Sequence, residues 1–286
     1  MDFPQPCLLC NGRRHALIHR SGAWRYLRCR TCGLVQIHPR PQRLQAETQY
    51  QDYLSDDPVA VRQWARMMRP VVVHTADLIQ KKIPGRAGRL LDVGCGYGFF
   101  LREMDRRGWQ VQGIEISPAG RRHARETLGL EVTGQTVENL RWPPERFDVI
   151  TLFYVIEHLT APDAMLARVR RWLKPGGLLV LRWPHTTPIV RLLGPLAGRF
   201  DLYHTPYHIY DFSPRTIAVL LRQNGFHGIE TCIGAFTLPA RPGTRLCSRM
   251  FGALAEGLAQ ASSGRILLPG VSKTTFAHKP TPSSAR

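Results

Sequence analysis

Residues 89–98, RLLDVGCGYG, decide how the rest of the chain is read. Leu90, Leu91 and Val93 form an apolar run into Gly94, Gly96 and Gly98. Phe99, Phe100, Leu101 and Met104 then recur at helical spacing. Strand, glycine turn and helix in that order open a Rossmann-like unit. Glycines allow a tight turn and let a ligand approach the backbone with no Cβ in the way. The next apolar segment, QVQGIEIS, carries Glu115, 21 residues beyond Gly94. An acid at that strand end accepts hydrogen bonds from both ribose hydroxyls of a nucleoside.

The glycine spacing narrows the nucleoside. A dinucleotide site reads GxGxxG, its last glycine making room above the pyrophosphate. Here the spacing is GxGxG, with Asp92 two residues ahead of the first glycine. No lysine follows the loop, which excludes a P-loop. An acid followed by GxGxG resembles the first motif of class I S-adenosylmethionine-dependent methyltransferases, and the resemblance covers about residues 85–280. It implies that Asp92 and the loop Gly94, Cys95, Gly96 and Gly98 hold the methionine end of the cofactor. Glu115 would then meet the ribose and Thr136 and Val137 the adenine, with Ile116, Phe153 and Tyr154 also lining the cofactor site.

Towards the N-terminus, Cys7-x2-Cys10 and Cys29-x2-Cys32 stand 18 residues apart, the spacing of a four-cysteine zinc site. Gly12 and Gly33 follow the pairs, as tight knuckle turns require. About 40 residues cannot bury enough core to fold alone, and a bound metal would supply about 10–16 kcal/mol of apparent binding energy. Four thiolates close the coordination shell, so this zinc is expected to be structural. The segment RCRTCGLVQ resembles the zinc ribbon that precedes sugar C-methyltransferases and many small-molecule methyltransferases.

The chain has 286 residues, 43% of them hydrophobic, enough for one α/β domain and a small accessory module. No stretch approaches the ~20 apolar residues of a membrane span, and MDFPQPC does not read as a signal peptide. Cysteines in CxxC pairs fit metal binding in a reducing cytoplasm. Net charge is +18, with 34 of 39 basic residues arginine. That balance fits an anionic partner, whether nucleic acid, membrane surface or phosphorylated substrate. It equally fits arginine spread over exposed helix faces, as at Arg121, Arg122 and Arg125 and at Arg168, Arg170 and Arg171.

The expected organisation is a zinc ribbon over 1–40, a helical linker or cap over 41–84 and a methyltransferase domain over 85–283. In the cap, Leu44, Val59, Trp64, Met67 and Met68 lie at helical spacing, and Tyr50 and Tyr53 either reach the methionine end or pack against the domain. The βαβ rhythm predicts strands at 89–94, 110–116, 130–134, 147–159 and 178–183, with helices at 97–107, 119–128 and 162–173. A helix at 214–223, a strand at 228–236 and a final strand, TTFAHKP, complete the pattern. The fold class is a seven-stranded Rossmann-like methyltransferase sheet with helices on both faces, preceded by the ribbon; the resemblance implies an antiparallel last strand.

Insertions at 184–213 and 237–271 interrupt the rhythm on the ligand edge, where specificity resides. The second contains Leu246, Met250, Phe251, Leu254 and Leu258 at helical spacing, flanked by Arg241, Arg245, Arg249 and Arg265. Such a helix covers a lipid-like substrate, lies on a membrane or packs into the core.

FDVITLFYVIEHL, LKPGG and HIYDFS…GF resemble the later motifs of the ubiquinone-biosynthesis type of methyltransferase. That places Glu157 and His158 at the C-terminal edge of the sheet and His208 towards the reaction site. A hydroxyl or enol acceptor needs a base, and histidine titrates near neutrality. His158 and His208 are therefore the candidate bases, with Glu157 beside them; each histidine is equally readable as a structural hydrogen bond. Relatives with ExxEH here bind a divalent metal, but the first glutamate position is Tyr154. The expected function is S-adenosylmethionine-dependent O- or C-methylation of a small-molecule, glycan or lipid-linked acceptor, in the cytoplasm or peripherally at the inner membrane face. The alternatives are an RNA methyltransferase with a ribbon for RNA binding, and a non-catalytic ribbon adaptor.

Overall fold

A computed structural model describes residues 5–41, 53–85, 87–238, 242–262, 266–268 and 272–281. Leu44, Tyr50, Arg241, Arg265 and the side chain of Arg245 lie outside the described residues.

The glycine stretch folds as its pattern dictates. Strand β4 (Arg89–Val93) is buried from Leu90 onward, and Gly94, Gly96 and Gly98 all take positive φ. Gly98 caps helix α2 (Phe99–Arg106), which buries Phe100, Leu101 and Met104. Around this unit runs a seven-stranded sheet in the order β10-β11-β8-β7-β4-β5-β6. Its members are β5 (Gln110–Ile114), β6 (Val132–Thr133), β7 (Phe147–Phe153), β8 (Leu173–Trp183), β10 (His227–Ile233) and β11 (Lys273–His278). The β4, β5, β6, β7 and β8 pairings are parallel, and β11 runs antiparallel to both β8 and β10. Five parallel neighbours buried on both faces explain the near-continuous apolar runs of the central strands.

Helices flank the sheet. Helix α1 (Pro58–Lys82) starts at Asp57, whose carboxylate accepts from the Val59 and Ala60 amides, and it buries Val71, Ala76 and Ile79. Helix α3 (Pro118–Arg122) runs into a wider π turn at His123–Thr127. Helix α4 is Pro162–Trp172. The first insertion contains α5 (Thr187–Leu193), a 3-10 turn at Gly194–Arg199 and the two-residue strand β9 (Tyr210–Asp211). Helix α6 (Pro214–Gln223) opens with a capping box between Ser213 and Thr216. Helix α7 (Pro242–Ala261) occupies the second insertion.

Two expected boundaries move. The fourth core strand ends at Phe153 rather than 159. Its neighbour β4 turns away at Gly94, Tyr154 takes a left-handed φ of 57°, and a 3-10 turn follows at Ile156–His158. LKPGG does not separate helix from strand. β8 begins at Leu173 opposite Phe147, and the register then jumps to Leu178 opposite Val149, so Lys174–Gly177 is a bulge inside the strand.

Most of the large apolar side chains of the α7 stripe point outward. Leu246, Met250 and Leu254 are more than half exposed and Phe251 is 44% exposed. Gly252 and Ala255 face the body instead, where Ala255 packs with Ile233 and Phe236. Leu246, Met250, Phe251 and Leu254 are therefore not core residues, while Leu258 is half-buried.

The cysteine-bearing segment forms a second sheet, β1 (His15–Ser21), β2 (Trp24–Cys29) and β3 (Val35–His38), all antiparallel. Its fourth strand is β9, from the first insertion, with Val35 opposite Asp211 and Gln36 opposite Tyr210. Cys7, Leu9, Tyr26, Leu34 and Ile37 share one continuous core with Phe147, Ile156, Tyr203 and Ile209.

Candidate active site

The C-terminal ends of β4, β5 and β7 converge on the glycine loop. Gly94 and Cys95 amides both donate to the Ile114 carbonyl, which holds the loop against β5. A Cβ at Gly94 would sit 2.6 Å from Val155 Cγ2, and one at Gly98 would sit 2.9 Å from the Ala124 methyl. These two glycines therefore allow close packing as well as the turn.

Glu115 is buried and bridges two segments: Oε2 accepts from the Gly96 amide at 2.7 Å and Oε1 from the Ser117 amide at 2.7 Å. Burial raises its pKa, with those amides opposing the rise. Asp92 is buried at 2% exposure beneath the loop, its Oδ1 accepting from the Thr151 hydroxyl at 2.6 Å. Burial pushes its pKa up to about 7; Thr151 opposes and the charge of Glu115 adds. Thr151 was missed in the sequence, though a hydroxyl inside the run FDVITLF is the signal that finds it.

The other implied cofactor contacts differ in setting. Cys95 is buried, and Val137 belongs to the core at 3% exposure. Thr136 and Ile116 are half-buried. Phe153 packs edge-on against Phe100, centroids 4.7 Å apart. Tyr154 is fixed at its hydroxyl, which donates to Ser272 Oγ at 3.0 Å and accepts from Arg182 Nε at 2.8 Å. Arg182 has no exposed surface and also donates to the Gly234 and Ala235 carbonyls and to Thr274 Oγ1 at 3.1 Å. A charge in LLVLRW was the available clue to this brace.

The segment before α1 is tied to the loop through Tyr97, whose hydroxyl donates to the Ser55 carbonyl at 2.7 Å and accepts from the Ser55 amide at 3.1 Å. Leu54 packs with Tyr97 and Ala119. Tyr53 is 62% exposed, within electrostatic range of Glu157, Tyr154 and Glu115.

Beyond β7 the 3-10 turn carries Glu157 and His158. Glu157 is 1% exposed, and among the described residues neither carboxyl oxygen finds a hydrogen-bond partner in another residue. Burial pushes its pKa up to about 8, so it holds its proton at neutral pH. His158 Nε2 lies 4.0 Å from Glu157 Oε1, and its Nδ1 lies 2.9 Å from the Tyr207 carbonyl. His208, 9% exposed, stacks edge-on to His158 at 4.8 Å and sits 5.1 Å from His204. Burial lowers both pKa values, His158 to about 4 and His208 further, leaving both imidazoles neutral. Glu157, His158 and His208 each bring one ligand atom within 4.8 Å of the others. One carboxylate and two imidazoles make a poor set for a hard cation, which prefers oxygen ligands.

At the ribbon end, Cys7, Cys10, Cys29 and Cys32 bring their sulfurs within 4.8 Å of one another, with Cys7–Cys32 at 3.4 Å and Cys10–Cys29 at 3.5 Å. Tetrahedral thiolates about 2.3 Å from a zinc ion lie about 3.8 Å apart, so the cluster fits that metal.

A seven-stranded sheet, parallel but for its antiparallel last strand, with a glycine loop and buried acids at adjacent strand ends, defines a class I S-adenosylmethionine-dependent methyltransferase. The chain belongs to the family described as methyltransferase domain, which matches residues 62–231. It is 31% identical over 183 residues to a ubiquinone biosynthesis O-methyltransferase of Xanthomonas euvesicatoria pv. vesicatoria, across 60% of this chain and 76% of the relative. Among solved structures it is similar to phosphoethanolamine N-methyltransferase 2 of Haemonchus contortus in complex with S-adenosyl-L-methionine. There the TM-score is 0.59 at 18% identity, over 86% of this chain and 63% of that one. A SAM-dependent methyltransferase of Archaeoglobus fulgidus gives a TM-score of 0.50 at 18% identity, over 76% and 98%. At such identities the two structures show the shared fold.

Proposed function

We propose that the chain methylates an oxygen, or an enolic carbon, of a small-molecule acceptor that enters beside Glu157, His158 and His208. The observation that carries this reading is the cluster of two imidazoles, His158 and His208, beside the buried carboxyl of Glu157 just beyond the end of β7. The cofactor supplies a methyl group on a sulfonium with a good leaving group, so positioning does most of the work. Asp92, the glycine loop and Glu115 hold the cofactor, and Ile116, Thr136, Val137, Phe153 and Tyr154 line its site. His158 takes the acceptor proton at Nε2, and Glu157 and His208 orient it. The ubiquinone biosynthesis O-methyltransferases among its relatives support the choice of oxygen over nitrogen.

The domain division of 1–40, 41–84 and 85–283 belongs to the same proposal, as does a structural zinc on Cys7, Cys10, Cys29 and Cys32. Reduced thiols at a zinc site support a cytoplasmic setting. The described residues contain no helix long and apolar enough to cross a membrane. The outward face of α7, with Leu246, Met250 and Leu254 aligned and Arg249 exposed beside them, supports a lipid-linked acceptor met at the membrane surface.

The test offers labelled S-adenosylmethionine and the protein to a fractionated extract. Label in soluble metabolites or lipid is the expected result. Label confined to RNA overturns the acceptor class, and absence of cofactor binding overturns the enzyme.

A further inference from the structure

The ribbon meets the histidine edge through the main chain. The Ile37 amide donates to the Ile209 carbonyl at 2.9 Å, and the Ile209 amide donates to the Glu157 carbonyl at 2.8 Å. One residue thus ties the ribbon strand β3 to the turn that carries Glu157 and His158. His208 precedes it. Asp211, two residues on, accepts from the Thr186 and Thr187 amides at 2.9 and 2.8 Å. Among the described residues β9 has no strand partner other than β3. The ladder to β3 is thus the sheet contact of β9, beside the Glu157 and Thr186–Thr187 hydrogen bonds that link the same segment to the histidine edge.

Side chains repeat the connection. Tyr26 of β2 stacks on Tyr203 with centroids 4.0 Å apart and planes 13° apart, and its hydroxyl lies 3.1 Å from Thr205 Oγ1. Gln223 of α6 donates to the Leu9 carbonyl in the first cysteine knuckle at 2.9 Å. The cofactor loop is tied elsewhere, through Ile114, Glu115 and Ser55.

We propose that the four-cysteine ribbon is a positioning element of the acceptor half of the active site. It holds β9, and through Ile209 it sets the placement of His208 and of the Glu157–His158 turn, while the cofactor half stands without it. Tyr26 and Ile209 are its positioning residues. The proposal takes the acceptor half from the function argued above, but the coupling itself can be read without any acceptor.

The experiment compares zinc-loaded full-length protein with the same protein after chelation, by site-resolved amide hydrogen exchange and by S-adenosylmethionine calorimetry. Metal loss is expected to speed exchange at 207–211 and 157–158 about tenfold or more, leaving 94–96 and 113–115 protected. Cofactor affinity should stay within about twofold, since binding there draws on contacts the ribbon does not make. A Tyr26→Leu variant that keeps its zinc should show the same pattern in weaker form. Unchanged protection at 207–211 after metal loss overturns the proposal. So does simultaneous loss of protection at both halves, which would make the ribbon a support for the whole fold. If the zinc-loaded protein binds no cofactor, the methyltransferase reading fails while the exchange data still report on the coupling.

Discussion

The Nδ1 atom of His158 sits 2.9 Å from the main-chain carbonyl of Tyr207. That carbonyl accepts only if Nδ1 carries the proton, which leaves the Nε2 lone pair turned towards Glu157. A contact between the 3-10 turn and the histidine-rich insertion therefore selects the tautomer that the proposed base role requires. Replacing His158 with alanine should lower kcat by about 10²-fold, the low end of a positioned base's worth, because burial leaves this imidazole weakly basic. The cofactor dissociation constant should not move. Steady-state kinetics with an identified acceptor, beside calorimetry, check both halves of the expectation.

Buried acids and a buried histidine should give stability two opposing pH dependences whose windows overlap between pH 4 and 6.5. The carboxyl of Glu157 is raised from 4.5 to about 8, so the native state keeps a proton that the unfolded chain releases. Its contribution is complete below 4.5 and is lost as pH rises towards 8. Asp92, raised to about 7, acts in the same direction. His158 is lowered from 6.5 to about 4, so its contribution is complete above 6.5 and is lost as pH falls towards 4. Melting temperatures of Glu157→Gln from pH 4 to 9 should show a flatter alkaline limb, with the acid limb retained.

Gly94→Ala should destabilise the protein by about 1–3 kcal/mol through its left-handed backbone. The added methyl also meets Val155 at 2.6 Å. Glu115→Ala should instead weaken cofactor binding by about 10–100-fold, as expected on losing hydrogen bonds to a charged acceptor. Thermal melts and calorimetry on the two variants separate a packing fault from a binding fault.

Metal analysis should find about one zinc per chain, and Cys32→Ser should lose it, since a structural site needs its fourth ligand. The four sulfurs lie close enough to share one ion. Thiol titration should release that zinc in step with the four cysteines.

Met250→Glu together with Leu254→Glu should reduce co-flotation with anionic vesicles about tenfold, by removing apolar area and adding like charge. Both side chains are more than half exposed, so folding and cofactor affinity should be unaffected.

The glycine loop, Glu115 and the order of the core elements were legible because each has a local signature: positive-φ glycines, apolar period, turn residues. Helix α6 falls on the expected 214–223, where Ser213 and Pro214 mark its start. Strand β9 left no such trace. It is two residues long, lies inside an insertion and pairs with Gln36 from the opposite end of the chain. The partners of the candidate site were hidden for a related reason. Thr151 and Asp211 act through contacts far apart in sequence, and the Tyr207 carbonyl belongs to the main chain, on which composition is silent. The outward face of α7 was open in the sequence because periodicity fixes which residues share a face but not what that face meets.

The pairing of β3 with β9 also sets a schedule for biosynthesis. Synthesised from the N-terminus, the first three strands of the ribbon leave the ribosome long before Tyr210 and Asp211 exist to close their sheet. Contacts of such sequence separation form late and slowly. For that interval the nascent chain presents four thiols and an open strand edge, and a metal captured there early would shield both from oxidation and aggregation.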